Sequence, residues 1–158
     1  VFPNRRSFLL GLAAIRWSAF ETAYGSGIFV PWWLLIFRFA PRALALKAGH
    51  KLDCSLCHQH AYVSSAALPA ASFILDTLER PEPAVVDEAL FHLLGYVECT
   101  DPRTKNAPAW HGELRALVRS ALPRIRRFAE DADAEVADTA RLLLSEVAEQ
   151  DSGDGGLG

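Results

Sequence analysis

Apolar residues recur with helical spacing along almost the whole chain, and no segment alternates cleanly with period two. A pattern of this kind confines the fold to packed helices, because only a 3.6-residue period brings such positions onto one face. The stripe from Pro83 onward is the plainest: Val85, Val86, Ala89, Leu90, Leu93, Leu94 and Val97 share a face, with Asp87, Glu88 and His92 opposite. Pro83 suits a first turn, where its missing N–H has no helical acceptor to lose. The helix is expected to stop near Val97, and Glu98 to Pro108 reads as a polar loop. Leu114, Leu117, Val118, Ala121, Leu122, Ile125 and Phe128 make the next stripe, which Pro123 divides near Ser120 into two helices or one kinked one. A last helix uses Val136, Ala140, Leu143 and Val147, with Asp133 as its cap. The predicted core includes Leu68, Phe73, Leu75, Leu90, Leu94, Val118, Ile125 and Leu143.

Upstream, Asp53 to Val63 and Ser65 to Leu78 read as a helix pair, with Ser64 and Ser65 capping the join and Pro69 in the second helix's first turn. The first fifty residues give a helix near Ser7 to Phe20 and another from Pro31 to Ala48, kinked at Pro41 and stopped by Gly49. Residues 1–150 thus form one domain, of a size that hides roughly 70% of its unfolded surface. Residues 151–158 are predicted to be a disordered tail, since Asp151-Ser152-Gly153-Asp154-Gly155-Gly156 has nothing to bury.

Composition narrows the function classes. A net charge of −3 leaves no global basic field for nucleic acid or membrane. Three cysteines, an odd and low number, argue against a disulfide scaffold and for a reducing, cytoplasmic setting. Asn4-Arg5-Arg6-Ser7-Phe8-Leu9-Leu10 imitates a twin-arginine signal, but Arg16 and Trp17 interrupt the apolar run and an amphipathic helix explains it equally well. Ile28 to Phe37, with Pro31 inside and Arg38 at its end, is shorter than the ~20 residues a spanning helix needs.

One phrase repeats. Ala67-Leu68-Pro69 and Ala121-Leu122-Pro123 each introduce an amphipathic helix, and Phe29-Val30-Pro31 is a weaker copy. The segment Cys57-His58-Gln59-His60-Ala61-Tyr62-Val63-Ser64-Ser65-Ala66-Ala67-Leu68-Pro69 resembles bacterial HEAT-like repeat proteins, in its His-Gln phrase, its Tyr-x-Ser phrase and its small-Leu-Pro helix start. Asp131-Ala132-Asp133-Ala134-Glu135-Val136-Ala137 is similar to the opening of a HEAT helix, with Ala137 where the family usually has arginine. The resemblance covers Asp53 to Gln150 and leaves residues 1–50 poorly matched. It implies an all-α fold, a short right-handed α-solenoid of about three helix pairs centred on Asp53 to Leu78. It also implies a non-catalytic scaffold that binds another protein.

Several constellations compete with that bland reading. Cys54-Ser55-Leu56-Cys57-His58 has the spacing of a c-type haem attachment site, and Cys54, Cys57, His58 and His60 offer sulfur and nitrogen to zinc, with Cys54 and Cys57 three apart on one helix face. Buried cysteines and satisfied histidines explain the same residues, so no cofactor is expected. No nucleophile elbow, phosphate loop or His-Glu-x-x-His occurs, and no enzymatic role is expected. Arg115, Arg119, Arg124, Arg126 and Arg127 form a basic cluster; Arg115 and Arg119 share a helix face and could meet phosphates, which makes nucleic-acid binding the alternative function. The expected partner surface comprises Arg115, Arg119, Arg124 and Arg127, with Asp76 and Glu79 along the same groove. At the N-terminal end Trp32 and Trp33 form an apolar patch to be covered by a partner or a second copy.

Overall fold

The structure is a computed structural model that describes Phe2, residues 4–58 and residues 60–154. Helices dominate it, as the periodicity requires. Helix α1 (Arg5–Ala14) opens at Asn4, whose side chain accepts from the Ser7 N–H at 2.9 Å, while the Asn4 N–H donates to Ser7 Oγ at 3.2 Å. This reciprocal capping satisfies two otherwise orphaned donors. The helix ends six residues before Phe20, because the Trp17 indole N–H turns back to the Leu12 carbonyl at 2.9 Å and the chain enters a short 3₁₀ turn. A hairpin of β1 (Glu21–Thr22) and β2 (Gly25–Ser26) follows, with Gly25 at φ +109° opening β2 directly after the turn.

Helices α2 (Val30–Phe39) and α3 (Arg42–Leu56) replace the single kinked helix expected from Pro31 to Ala48. Pro41 makes the break, since it forces the preceding residue away from helical angles. Gly49 does not stop α3. It lies buried in mid-helix, where an added Cβ would fall 2.7 Å from Glu88 Cγ and 3.0 Å from the Phe37 ring, so glycine is there for close packing.

The expected helix from Asp53 to Val63 does not form. The chain leaves α3 at Leu56 and turns through β3 (Cys57–His58) and β4 (Tyr62–Val63), an antiparallel pair with Cys57 opposite Val63. Two-residue strands are too short to leave a period-two signature. His60, at φ 53°, takes the left-handed position in the turn. Ser64 and Ser65 do not cap the next helix. Ser64 Oγ donates to the Ser55 carbonyl at 3.2 Å, and Ser65 Oγ accepts from the Glu21 N–H at 2.9 Å. With Ala23 N–H to Ser55 O (2.9 Å) and Ala66 N–H to Glu21 O (3.1 Å), these bonds stitch both hairpins together at one end of the helices.

The rest follows the expected order. Helix α4 (Ala67–Thr77) holds Pro69 in its first turn, and α5 (Pro83–Cys99) begins at Pro83. Helix α6 (Ala109–Ser120) is cut from α7 (Leu122–Ile125) next to Pro123, and a 3₁₀ segment continues to Glu130. Helix α8 (Ala134–Asp154) is capped by Asp133, whose Oδ1 accepts from the Glu135 N–H at 3.1 Å. It continues four residues past Gln150, so Asp151–Asp154 of the expected tail are helical, and residues 155–158 lie outside the described residues. The side chain of Gln150 explains the extension in part: it is buried and donates to the Val97 carbonyl at 3.0 Å.

The packing has an internal logic. Helix α2 packs on α3 and α4 on α5, while α2 meets α4, α4 meets α6, α3 meets α5 and α5 meets α8. Two layers result, α2–α4–α6 and α3–α5–α8, and the prolines at 31, 69 and 123 all begin elements in or following the first layer. Of the predicted core, Phe73, Leu75, Leu90, Leu94, Val118, Ile125 and Leu143 are buried, and Leu68 is half-buried against the core. Because α5 touches α3, α4, α6 and α8, its supposed polar face is also enclosed. His92, placed opposite the stripe by the sequence, is fully buried.

Candidate functional site

Two regions carry unsatisfied chemistry, and they differ in kind. One is a buried polar cluster where α3, the β3–β4 hairpin and α5 meet. Cys57 comes from β3 and Cys99 from the last residue of α5, and their sulfurs are 3.4 Å apart. Cys57 is fully buried and Cys99 half-buried. The contact is possible because Gly95 lies under it: a Cβ there would fall 2.9 Å from both Cys57 Sγ and the His60 ring. His60 Nδ1 pairs with Glu98 Oε2 at 2.5 Å, its ring packs on Phe91, and its Nε2 is buried without a protein hydrogen-bond partner. Asp53 Oδ1 and Tyr96 Oη are likewise buried and unpartnered.

Electrostatics follow from this enclosure. The hydrogen bond shared by the two thiols, together with burial, pushes Cys57 up, and the same bond lowers Cys99. Desolvation raises Asp53, although the nearby imidazoles of His60, His50 and His58 act against it. Desolvation, with help from Asp53 and Asp87, lifts Glu88 to about 7. Burial depresses His92 to about 3, so it is neutral at physiological pH.

Of the haem-like and zinc-like residues, only Cys57 and His60 are brought together, against Gly95. Cys54 is on α3 with its sulfur 3.7 Å from His50 Nε2, Cys57 has crossed into the hairpin, and His58 Nδ1 faces Tyr24 Oη at 3.5 Å. Because the helix ends at Leu56, the shared helix face expected for Cys54 and Cys57 is lost. Among the described residues, no group of three or more Cys, His, Asp or Glu side chains is arranged to hold a metal ion.

The arginine cluster is largely engaged within the molecule. Arg119 pairs with Asp151, Arg115 donates to the Thr100 carbonyl, and Arg124 pairs with Glu79 at 2.8 Å, half-buried and lowered by desolvation. Arg126 and Arg127 remain exposed, and Arg127 shares a surface cleft with Glu79 and Asp131. Asp76 is not on that groove. It is 2% exposed, accepts from Arg38 Nε at 2.8 Å and from the Phe2 N–H at 2.8 Å, and ties the N-terminus to α4.

The second region is the outer face of α1, α2 and α3. Trp32 is 58% exposed, Phe29 71% and Leu44 53%, with Ile28, Leu9 and Leu10 also exposed. The Trp32 indole stands between two clefts. One, of about 750 Å³, is lined by Trp33, Ile36, Leu44 and Leu46 with Lys47, His50 and Lys51 at its margin. The other, of about 440 Å³, is lined by Leu9, Leu12, Ile15, Pro31 and Leu35. Trp33 is half-buried, so of the two tryptophans only Trp32 projects.

Charge sets this face apart, a signal the whole-chain total conceals. Residues 1–52 hold seven basic side chains and one acid, whereas residues 53–158 hold nine basic and eighteen acidic. The net −3 is therefore +6 beside −9, and a count by segment would have found it. Comparison with protein-family models, curated proteins and solved structures found no match to this chain.

Proposed function

We propose that this protein is a non-catalytic, HEAT-like helical scaffold whose α1–α3 face binds an acidic amphipathic helix of another protein. The observation that carries the reading is the exposed apolar belt from Leu9 through Trp32 to Leu44, bordered by Lys47 and Lys51 in a segment of net charge +6. Contiguous apolar surface rimmed by polar groups is the usual form of a protein-interaction site, and a groove between helices suits the apolar stripe of an incoming helix. Basic side chains at the margin select acidic residues on that helix and speed the encounter. The scaffold part of the proposal is supported by the two helix layers, in which α2, α4 and α6 lie against one another in turn and α3, α5 and α8 do likewise, as like helices do in a short solenoid. No helix among the described residues is long and apolar enough to cross a membrane.

The test uses two designed peptides with the same Leu stripe at i, i+3, i+4 and i+7, one bearing Glu and the other Lys on its polar face. Tryptophan fluorescence of the full chain should titrate with the acidic peptide alone, with affinity falling as salt rises. Trp32→Ala and Leu44→Lys should each abolish the titration while thermal stability is kept. Equal binding of both peptides would overturn the proposal. So would preferential partition onto anionic phosphatidylserine vesicles, or a stable homodimer that hides Trp32.

A further inference from the structure

Cys57 and Cys99 are 42 positions apart in sequence, yet their sulfurs are in contact at 3.4 Å with hydrogen-bonding geometry. They are not equivalent. Cys57 is sealed between the β3–β4 hairpin and Gly95, whereas Cys99 opens onto a cleft of about 370 Å³ lined also by Tyr62, Trp110, His111 and Glu21. The third cysteine, Cys54, is in contact with His50 on the same helix face and forms no contact with this pair. The arrangement gives one sulfur reached from solvent and a second held directly behind it. Closing 3.4 Å to a bond of ~2.05 Å asks for a small shift of a two-residue strand next to a turn.

We propose that Cys57 and Cys99 form a reversible dithiol–disulfide couple, with Cys99 the attacking thiol, Cys57 the resolving thiol, and a small hydroperoxide the oxidant. In the first step the Cys99 sulfur attacks the distal peroxide oxygen and the O–O bond breaks. The thiol proton leaves with the other oxygen, giving Cys99 sulfenic acid and water or an alcohol. In the second the Cys57 sulfur displaces the sulfenic hydroxyl, which departs with the Cys57 proton as water, and the S–S bond forms. A low-molecular-weight dithiol reverses the sequence by exchange, restoring both thiols and becoming oxidised itself. The hydrogen bond shared with Cys57 favours thiolate character at Cys99, whereas burial and the carboxylates of Glu98 and Asp53 oppose it. His60, paired with Glu98, packs against the same glycine and presents a buried, unpartnered Nε2 beside the pair. The bond would join the β3–β4 hairpin to the end of α5 and lock the layer contact between α3 and α5.

The experiment exposes the full-length chain, fully reduced, to substoichiometric hydrogen peroxide, alkylates the remaining thiols and maps peptides by mass spectrometry. A Cys57–Cys99 cross-linked peptide, formed several-fold faster than any modification of Cys54 and reversed by dithiothreitol, is the expected result. Cys57→Ser should leave a Cys99 sulfenic acid that dimedone traps, Cys99→Ser should leave Cys57 reduced, and Cys54→Ser should change nothing. Should a variant fail to fold, the wild-type map decides alone. Oxidation that starts at Cys54, a disulfide involving Cys54, or only intermolecular disulfides would each overturn the proposal.

Discussion

Helices α2 and α5 are both strongly apolar, yet they end in opposite situations. Helix α5 is enclosed by α3, α4, α6 and α8, so even His92 and Tyr96 are fully buried. Helix α2 has neighbours only on its inner side. Val30, Leu34 and Phe37 are buried there, while Trp32 projects outward. Apolar content alone therefore does not report burial. What decides is whether an element has neighbours on one side or on most of them, and the proposed partner surface rests on the apolar excess that α2 leaves uncovered.

Five substitutions, in four tests, would break or sharpen that contrast. The largest effect is expected inside. Phe73 is buried among Phe2, Phe8 and Trp17, with ring centroids 4.7, 5.0 and 6.2 Å away, so Phe73→Ala should cost ~3–5 kcal/mol in chemical denaturation. Trp32→Ala on the outer face should change stability by less than ~1 kcal/mol. If the two losses were equal, the contrast between the regions would fail. Next comes Arg38→Ala, which strands the buried Asp76 carboxylate without its cation and should cost ~3 kcal/mol by the same measurement. A negligible loss would show that Phe2 and the N-terminus do not depend on Asp76.

The third lies in pH. His92 has its pKa depressed from 6.5 to about 3, so between those values only the unfolded chain takes up the proton and acid destabilises the fold, by at most ~1.4 kcal/mol per pH unit. Glu88 has its pKa raised from 4.5 to about 7, so in that window only the folded chain keeps the proton and rising pH destabilises. The two oppose each other between pH 4.5 and 6.5 and should nearly cancel there. Glu88→Gln removes the second contribution, and urea midpoints should then decline from about pH 6.5 downward, where the wild type stays flat until below 4.5. Identical pH profiles would show that the interior is wetter than its packing indicates. The smallest effect is expected at Arg141, paired with Asp138 where both are exposed; Arg141→Ala should shift stability by ~0.5 kcal/mol or less.

Where a stripe was long and uninterrupted, its helix was legible in the residues. Pro83 at the start of α5, the cut beside Pro123 and the Asp133 cap all follow from local chemistry that needs no neighbours. The segment from Asp53 to Val63 reads as a helix throughout because its two strands pair over only two residues each, too short to interrupt the helical pattern that α3 carries to Leu56. The candidate sites were less legible still. Trp32 could be singled out as an apolar residue near an end, but the arginines and Asp76, which read as a surface groove, are mostly paired within the fold. The pairing of Cys99 with Cys57 is not legible in the residues, since nothing within a few residues of Cys99 points to a second sulfur 42 positions upstream.

The sequence by itself determined that the chain is helical, where most helices begin, and which faces of α6 and α8 turn inward, because period, proline and capping act over one or two turns. Only the tertiary structure decided that α2 leaves Trp32 uncovered, that Gly49 admits a neighbour instead of ending a helix, and that Gly95 makes room for Cys57 to meet Cys99. Those outcomes depend on which elements become neighbours across tens of residues, and burial, charge pairing and sulfur contact are properties of the neighbours as much as of the residue itself.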